Sequence, residues 1–348
     1  MFMNNRNLWV DYGKAIGIVL VVYGHVVRGL LAAGIIEDHI FLHKLVDSVI
    51  YSFHMPLFFF LSGLFFWHSM SNRGANGVFL SKIDTVFYPF VLWSILQGCI
   101  EALLSNYTNG DVSLAKVFSL LWAPRAQFWF LYALFLIFTL SVLLYRRSAM
   151  FLPLLVAGAV IYIFQNRGPN FFVFNFIAQN FVFFAFGVWF NSIRGHIESR
   201  AGVVAALSGV AFVVVEYVFH GVLGLRYEDR GVISLVVAMT AILFVVSACM
   251  VLARKPLGWV LTLGALSMPI YLMHILAGSG IRVILSKFFG IDSVAVHILA
   301  GCVIGLVLPV IAAKILEAMG IKWLYEAPAW MSLDKRRQRR LAVAPRTL

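Results

Sequence analysis

The sequence predicts an all-α integral membrane protein, a bundle of about ten transmembrane helices with both termini in the cytoplasm. Three observations predict it. Hydrophobic residues make up 62% of the 348 positions and charged residues 12%, with a mean hydropathy of +0.92. A soluble domain so apolar could not cover its surface with polar groups. The apolar residues also fall into runs of about 20, the length at which a helix crosses about 30 Å of hydrocarbon. Finally, with ten spans and a cytoplasmic N-terminus, 18 of the 27 Lys and Arg residues fall on the inner side and 9 on the outer, the asymmetry that orients membrane proteins.

The runs follow in order. The first, 12–32, is longer than the apolar core of a signal peptide and carries polar residues inside it, so it is read as a retained helix. The second, 46–68, contains "FHMPLFFFLSG". There Pro56 removes a backbone donor and loosens the helix, and Ser62–Gly63 marks a close-packing point. The third, 86–104, holds Gln97 and Glu101 on one face. The fourth, 127–145, opens on "QFWFLYALF" with Trp129, which suits an interfacial aromatic belt or a site. A short fifth run covers 149–165. The sixth, 171–191, places Asn175 and Gln179 together, expected, like Gln97 and Glu101, to act as polar glue between helices. The seventh, 201–220, ends on Glu216 and His220, one turn apart where water is expected to reach them. Runs at 231–252, 258–280 and 293–316 complete the bundle. Residues 1–330 thus form one transmembrane domain, followed by a basic tail, 331–348, whose "DKRRQRR" is expected to lie on the anionic inner leaflet. No run alternates as a barrel strand does.

Other classes fall away. The net charge of +12 resides in loops and tail, so nucleic acid is not an expected partner. Cys99, Cys249 and Cys302 lie in apolar runs without CxxC spacing and read as packing residues.

The informative residues are polar groups inside apolar runs, because a charged side chain at the bilayer centre costs at least about 2.5–3.5 kcal/mol. Lys14 and His25 are 11 positions apart. That is about three helical turns, which leaves them within about 20° of each other and about 16 Å apart along the axis. Asp11 and Arg28 flank the same stripe. His54, on a helix running the other way, falls at a depth similar to that of His25. "MPIYLMHIL" puts Tyr271 and His274 one turn apart in the ninth run. None of these three membrane histidines, His25, His54 and His274, has an HxxxH or HxxEH spacing, so a metal is not expected.

Taken together, "KAIGIVLVVYGH" (14–25), "FHMPLFFFLSG" (53–63), "FWFLYALF" (128–135) and "IYLMHI" (270–275) resemble, in order, the landmarks of the membrane acyltransferase-3 family. The likeness covers the whole ten-span chain and is nearest to the fucose 4-O-acetylase-like members, the stand-alone polysaccharide and lipochitooligosaccharide acetylases without an extracytoplasmic hydrolase-like domain. It implies transfer of an acyl group, usually acetyl from cytosolic acetyl-CoA as co-substrate, to a hydroxyl of a sugar in a glycan or glycolipid. It implies no bound cofactor, and it places the protein in a bacterial inner membrane. Carried onto this sequence, His25 takes the catalytic position and Lys14 the basic one. His54 takes the "FHMP" histidine and His274 the late one. Asp11, Arg28, Lys82, Trp129 and Tyr271 join them as candidate substrate- or donor-binding residues. The sequence departs from the family where a pair of arginines follows the second span, since "LSKIDTVFYPF" (80–90) offers Lys82 beside Asp84.

The residues suit this chemistry in their own right. Acyl transfer from a thioester to an alcohol needs a base, donors for the oxyanion and exclusion of water. Histidine, with an ordinary pKa of about 6.5, fits the base. The alternative is a transporter or flippase of a glycan or small polar solute. Such proteins often repeat one half in the other, and no such repeat is visible here.

Overall fold

The computed structural model describes residues 7–103 and 114–343. Arg6, which counted toward the orientation, and the tail beyond 343 lie outside them. Ten helical passages are long and apolar enough to cross a membrane. No strand occurs among the described residues, as expected in a solvent that cannot satisfy an open backbone. The first passage is α1 (Leu8–Ala32). The second is broken into α2 (Ile40–Tyr51) and α3 (His54–Leu64). The third joins α4 (Phe66–Lys82), a π-helical turn at Ile83–Phe87 and α5 (Tyr88–Leu103). After a short α6 (Leu114–Phe118) come α7 (Trp129–Leu144), α8 (Phe151–Phe164), α9 (Phe172–Phe190) and the short α10 (Arg194–Ser199). Next are α11 (Ala201–Glu216), extended by a π turn at Tyr217–Val222, and α12 (Val232–Leu252). α13 (Gly258–Ala265) leads into α14 (Ser267–Val283), and α15 (Val294–Ala318) and the tail helix α16 (Leu333–Val343) complete the chain.

Contacts at the helix ends show that the passages alternate in direction. At one face, here the near face, Arg194 donates to Asn7 at 2.9 Å, Leu257 N–H donates to the Tyr12 hydroxyl at 2.7 Å, and the Asn191 amide reaches the Leu64 carbonyl. The start of the first span and the ends of the second, sixth and eighth therefore meet there. At the far face Arg28 pairs with Asp47 at 2.8 Å, and Ser48 bonds both His220 and the Tyr227 N–H at 2.9 Å. That face gathers the end of the first span, the start of the second and the end of the seventh. α1 is the hub, packed against α3, α12, α13, α14 and α15. The passages of α8, α11 and α15 form the least buried rim, 22%, 17% and 22% buried against 61% for the second span.

Glycine decides how closely the hub is built. A Cβ on Gly187 would lie 2.0 Å from the Phe60 carbonyl oxygen, and one on Gly63 would lie 2.1 Å from that of Phe184. α3 and α9 thus cross backbone to backbone, which confirms Ser62–Gly63 as a close-packing point and identifies its partner.

The third passage begins earlier than the run at 86–104 suggests. Its helix extends back to Phe66 and turns sharply at Gly74, whose φ of 67° is cheap only for glycine. Asp84, in the π turn, holds the tail. Its carboxylate accepts the Ser332 hydroxyl at 2.6 Å, the Asp334 N–H at 3.0 Å and the Leu333 N–H at 3.1 Å, capping α16 where its N–H groups are otherwise unpaired. The tail is therefore anchored on protein at its first turn. Beyond that turn, Lys335, Arg336, Arg339 and Arg340 are exposed. Asp84→Ala is expected to weaken this anchorage by about 1–2 kcal/mol. Limited trypsin digestion at 336–340 should then run roughly 5–30-fold faster, and an unchanged rate would contradict the capping role.

Candidate active site

Glycines on α14 and α15 bring both helices against the distal half of α1. Gly278 lies in ordinary contact with Val26, and a Cβ on Gly301 or Gly305 would press on Val26 or Val22 at 2.8 Å. Beside this seam is a cavity of about 250 Å³ lined by His25, Arg28, His274, Ser279, Arg282 and His297. The His25 and His274 rings are 5.0 Å apart, tilted by 57°. His274 is 2% exposed. Its Nδ1–H donates to the carbonyls of Tyr271 at 2.8 Å and Ile270 at 3.1 Å, and its buried Nε2 has no partner among the described residues. Because a carbonyl only accepts, Nδ1 carries the hydrogen, and in the neutral ring Nε2 carries the lone pair. His297 is the mirror case: Nε2–H donates to the Ile291 carbonyl at 2.7 Å, and the buried Nδ1 is unpartnered. His25 makes no hydrogen bond to any described residue. The cavity thus collects imidazole nitrogens that the protein itself leaves unused.

His54 is near but not in this cavity. The second span breaks at Ser52–Phe53, where Phe53 leaves helical geometry, and Pro56 sits in the first turn of α3, the turn in which its missing N–H costs least. At the break the Ile50 carbonyl accepts the Phe53 N–H at 3.3 Å and His54 Nδ1–H at 2.8 Å. The ring packs edge-on to Tyr51 at 4.4 Å, and Arg28 lies over the Tyr51 ring itself, 3.4 Å from its centroid. Asp47 takes the Arg28 guanidinium through contacts of 2.8, 2.9 and 3.0 Å. His54, Tyr51, Arg28 and Asp47 therefore form one rigid chain leading to His25, with His54 and Arg28 within electrostatic reach of it. Of the residues read from sequence, the structure gathers His25, His274 and Arg28 and leaves His54 one layer away.

A second cavity of about 300 Å³ lies on the other side of Arg28, with Tyr51, Trp129, Gln179 and Arg230 in its wall. Trp129 stacks on Phe176 at 6.1 Å with an interplanar angle of 14°, so it is a wall of this cavity rather than only part of an aromatic belt. Gln179 likewise lines it, whereas Asn175 bonds Asn170 at 3.2 Å, so these two amides do not join helices. Gln97 and Glu101 do: Gln127 donates to Gln97 at 2.7 Å, Gln97 to Glu101 at 2.7 Å, and Arg125 pairs with Glu101 at 3.0 Å. Tyr271 is buried, its hydroxyl bound to the Gln127 carbonyl, one turn before His274.

Glu216 and His220 are not open to water as their place near a helix end suggested. Glu216 is 8% exposed, accepts the Ser52 hydroxyl at 2.7 Å and holds His220 Nδ1 at 2.7 Å, while Ser48 bonds His220 Nε2. The acid–imidazole–hydroxyl order matches that of a catalytic triad. Ser48, however, is 2% exposed and borders neither far-face cavity, so this group ties α2 to the Tyr217–Val222 turn.

Toward the near face, Asp11 is buried at 4% exposure with its carbonyl against Gly264. Lys82 lies with its ammonium 4.2 Å from the Phe138 ring centroid, close enough to Lys14 for their charges to interact. No group of three or more metal-ligating side chains occurs among the described residues.

Three cavity residues, His297, Arg230 and Arg282, escaped the sequence reading. A lone histidine in the first turns of the tenth run looks like an interfacial anchor, and Arg230 and Arg282 fall just outside the eighth and ninth runs, in loops whose paths no periodicity reveals.

The profile of a family described as an acyltransferase domain matches residues 7–314. The chain is similar to the nodulation protein NolL of Mesorhizobium japonicum, 28% identical over 163 residues, which are 45% of this chain and 41% of that protein. The match thus spans less than half of that relative's length. No solved structure matches. The chain belongs to the membrane acyltransferase-3 family, and its ten long apolar passages make it an integral membrane protein.

Proposed function

We propose that this protein moves an acyl group, acetyl from acetyl-CoA, to a hydroxyl of a sugar in a surface or secreted glycan or glycolipid, in a bacterial cytoplasmic membrane with both termini in the cytoplasm. The observation that carries this reading is His25, free of hydrogen bonds to the described residues and 5.0 Å from a His274 ring whose Nε2 is unpartnered, in a cavity within the membrane half. A site set among membrane-spanning helices limits the water that would otherwise hydrolyse a thioester.

The step balances within the two substrates and the imidazoles. His25 takes the proton of the acceptor hydroxyl as the oxygen attacks the acyl carbonyl. The thioester C–S bond breaks, the ester C–O bond forms, and the proton passes to the departing thiolate. Arg28 and Arg282, in the same wall, supply donors for the oxyanion. His54 orients this assembly through Tyr51 and Arg28. On the near face Lys14 and Lys82 offer positive charge to the donor's phosphates, with Asp11 beside them. About 16 Å of helix separates Lys14 from His25, and Phe58, packed on the intervening Gly17, must swing aside for an acyl arm to pass.

The test is mass spectrometry of cell-surface glycans from strains with and without the gene. A glycan that gains one acetyl group only when the wild-type protein is present supports the reading. Identical glycan masses in the two strains refute it.

A further inference from the structure

The cavity beyond Arg28 has a composition of its own. Two arginines border it, and they differ: the Nε and Nη2 of Arg28 are held by Asp47, which balances its charge and leaves Nη1 outside that pair. Arg230, in the loop before α12, makes no hydrogen bond or ion pair with any described residue. Burial pushes its pKa down from the ordinary guanidinium value, while Tyr162, Tyr227 and exposed Glu228 act the other way. An arginine does not shed its proton in a protein, so this is a charge whose desolvation is only partly compensated. The start of α12 at Val232 borders the same space through Ser234, adding the positive end of a helix dipole. Around this cation stand the face of Trp129 and the amide of Gln179, which has no hydrogen-bond partner among the described residues. An aromatic platform, an open amide and an unpaired guanidinium together suit a ring bearing hydroxyls and an acid group.

We infer that this cavity binds the acceptor, and that the acceptor is an acidic sugar whose carboxylate or phosphate ester pairs with Arg230. The inference rests on the acyltransferase reading, and it adds the charge of the substrate. Arg28, shared by both cavities, places a sugar bound here next to His25.

The test is equilibrium binding by calorimetry to the purified full chain in phosphatidylcholine nanodiscs. The probes are a disaccharide ending in glucuronate, its methyl ester, and the corresponding glucose and glucose-phosphate disaccharides. The wild type is expected to bind the acidic sugars roughly 10–100-fold more tightly than the ester or the glucose form, the range of one charge-assisted pair. Arg230→Gln should remove that preference and Arg230→Lys should keep part of it. Equal binding of acid and ester by the wild type overturns the inference, as does no binding of either or a preference that survives Arg230→Gln. Displacement of the sugar by phosphatidylglycerol in the nanodisc overturns it too, since the cation would then serve a lipid headgroup. The ester comparison needs no variant, so a misfolded Arg230→Gln leaves the test intact. Binding requires no acyl transfer: a preference for acid without transfer upholds the pocket and sinks the acyltransferase reading, and transfer to neutral glycans alone does the reverse.

Discussion

Alanine at position 25 is expected to lower acyl transfer by about 10²–10⁴-fold, the contribution of a positioned general base. The fold should survive. His25 makes no hydrogen bond to any described residue, and its ring faces a cavity instead of filling the core. Thermal unfolding of His25→Ala should therefore stay within a few degrees of wild type, while the rate of product formation in detergent falls. His25→Gln, which keeps bulk and polarity but cannot accept a proton near neutral pH, should be nearly as inactive. A variant that keeps more than about a tenth of wild-type activity would remove the base from this residue, because a base contributes at least about 10²-fold.

Leucine at Gly187 is expected to have the largest effect on stability. The first carbon it adds would lie 2.0 Å from the Phe60 carbonyl oxygen, a backbone atom that no rotamer change can move. α3 and α9 would have to separate, and the whole aromatic cluster of Phe60, Phe186 and Phe190, with ring centroids 5.1–6.1 Å apart, would open with them. Overpacking of well-packed cores costs about 1–3 kcal/mol even where side chains can give way. Here the loss should exceed that, and should read out as failure to recover monodisperse protein or as a drop in unfolding temperature of many degrees. Gly187→Ala should show the same defect in milder form. A Gly187→Leu protein as stable as wild type would mean that the crossing is looser than described.

Much of this was legible in the sequence because the bilayer imposes it. Length and hydropathy fix the number of passages, since a helix that crosses hydrocarbon has little freedom in length, but not every bound: the third begins at Phe66 and not near 86, and the ninth runs Ser267–Phe288 and not 258–280. The Lys14–His25 spacing showed a polar stripe on one helix because rotation per residue is known. The depth match of His25 with His54 followed from rise per residue alone. Azimuth did not follow. The break at Ser52–Phe53 turns the His54 ring onto Ile50 and Tyr51, and the neighbour of His25 is His274 instead. Such a break depends on tertiary support, here Arg28, Asp47 and Glu216, that spacing cannot reveal. The tail illustrates the same limit: "DKRRQRR" reads as lipid-seeking by charge, yet its first turn is held by Asp84, some 250 residues earlier in the chain.

The central claim, chemistry at a membrane-embedded histidine pair, is tested most directly by following both products at once. The purified protein in nanodiscs, given acetyl-CoA and a glycan acceptor, should release free CoA thiol and form O-acetyl ester in equal amounts. Neither product should appear without acceptor, nor from His25→Ala. Passage of the acceptor across a sealed bilayer with no ester formed, or ester formed at the wild-type rate by His25→Ala, would contradict it.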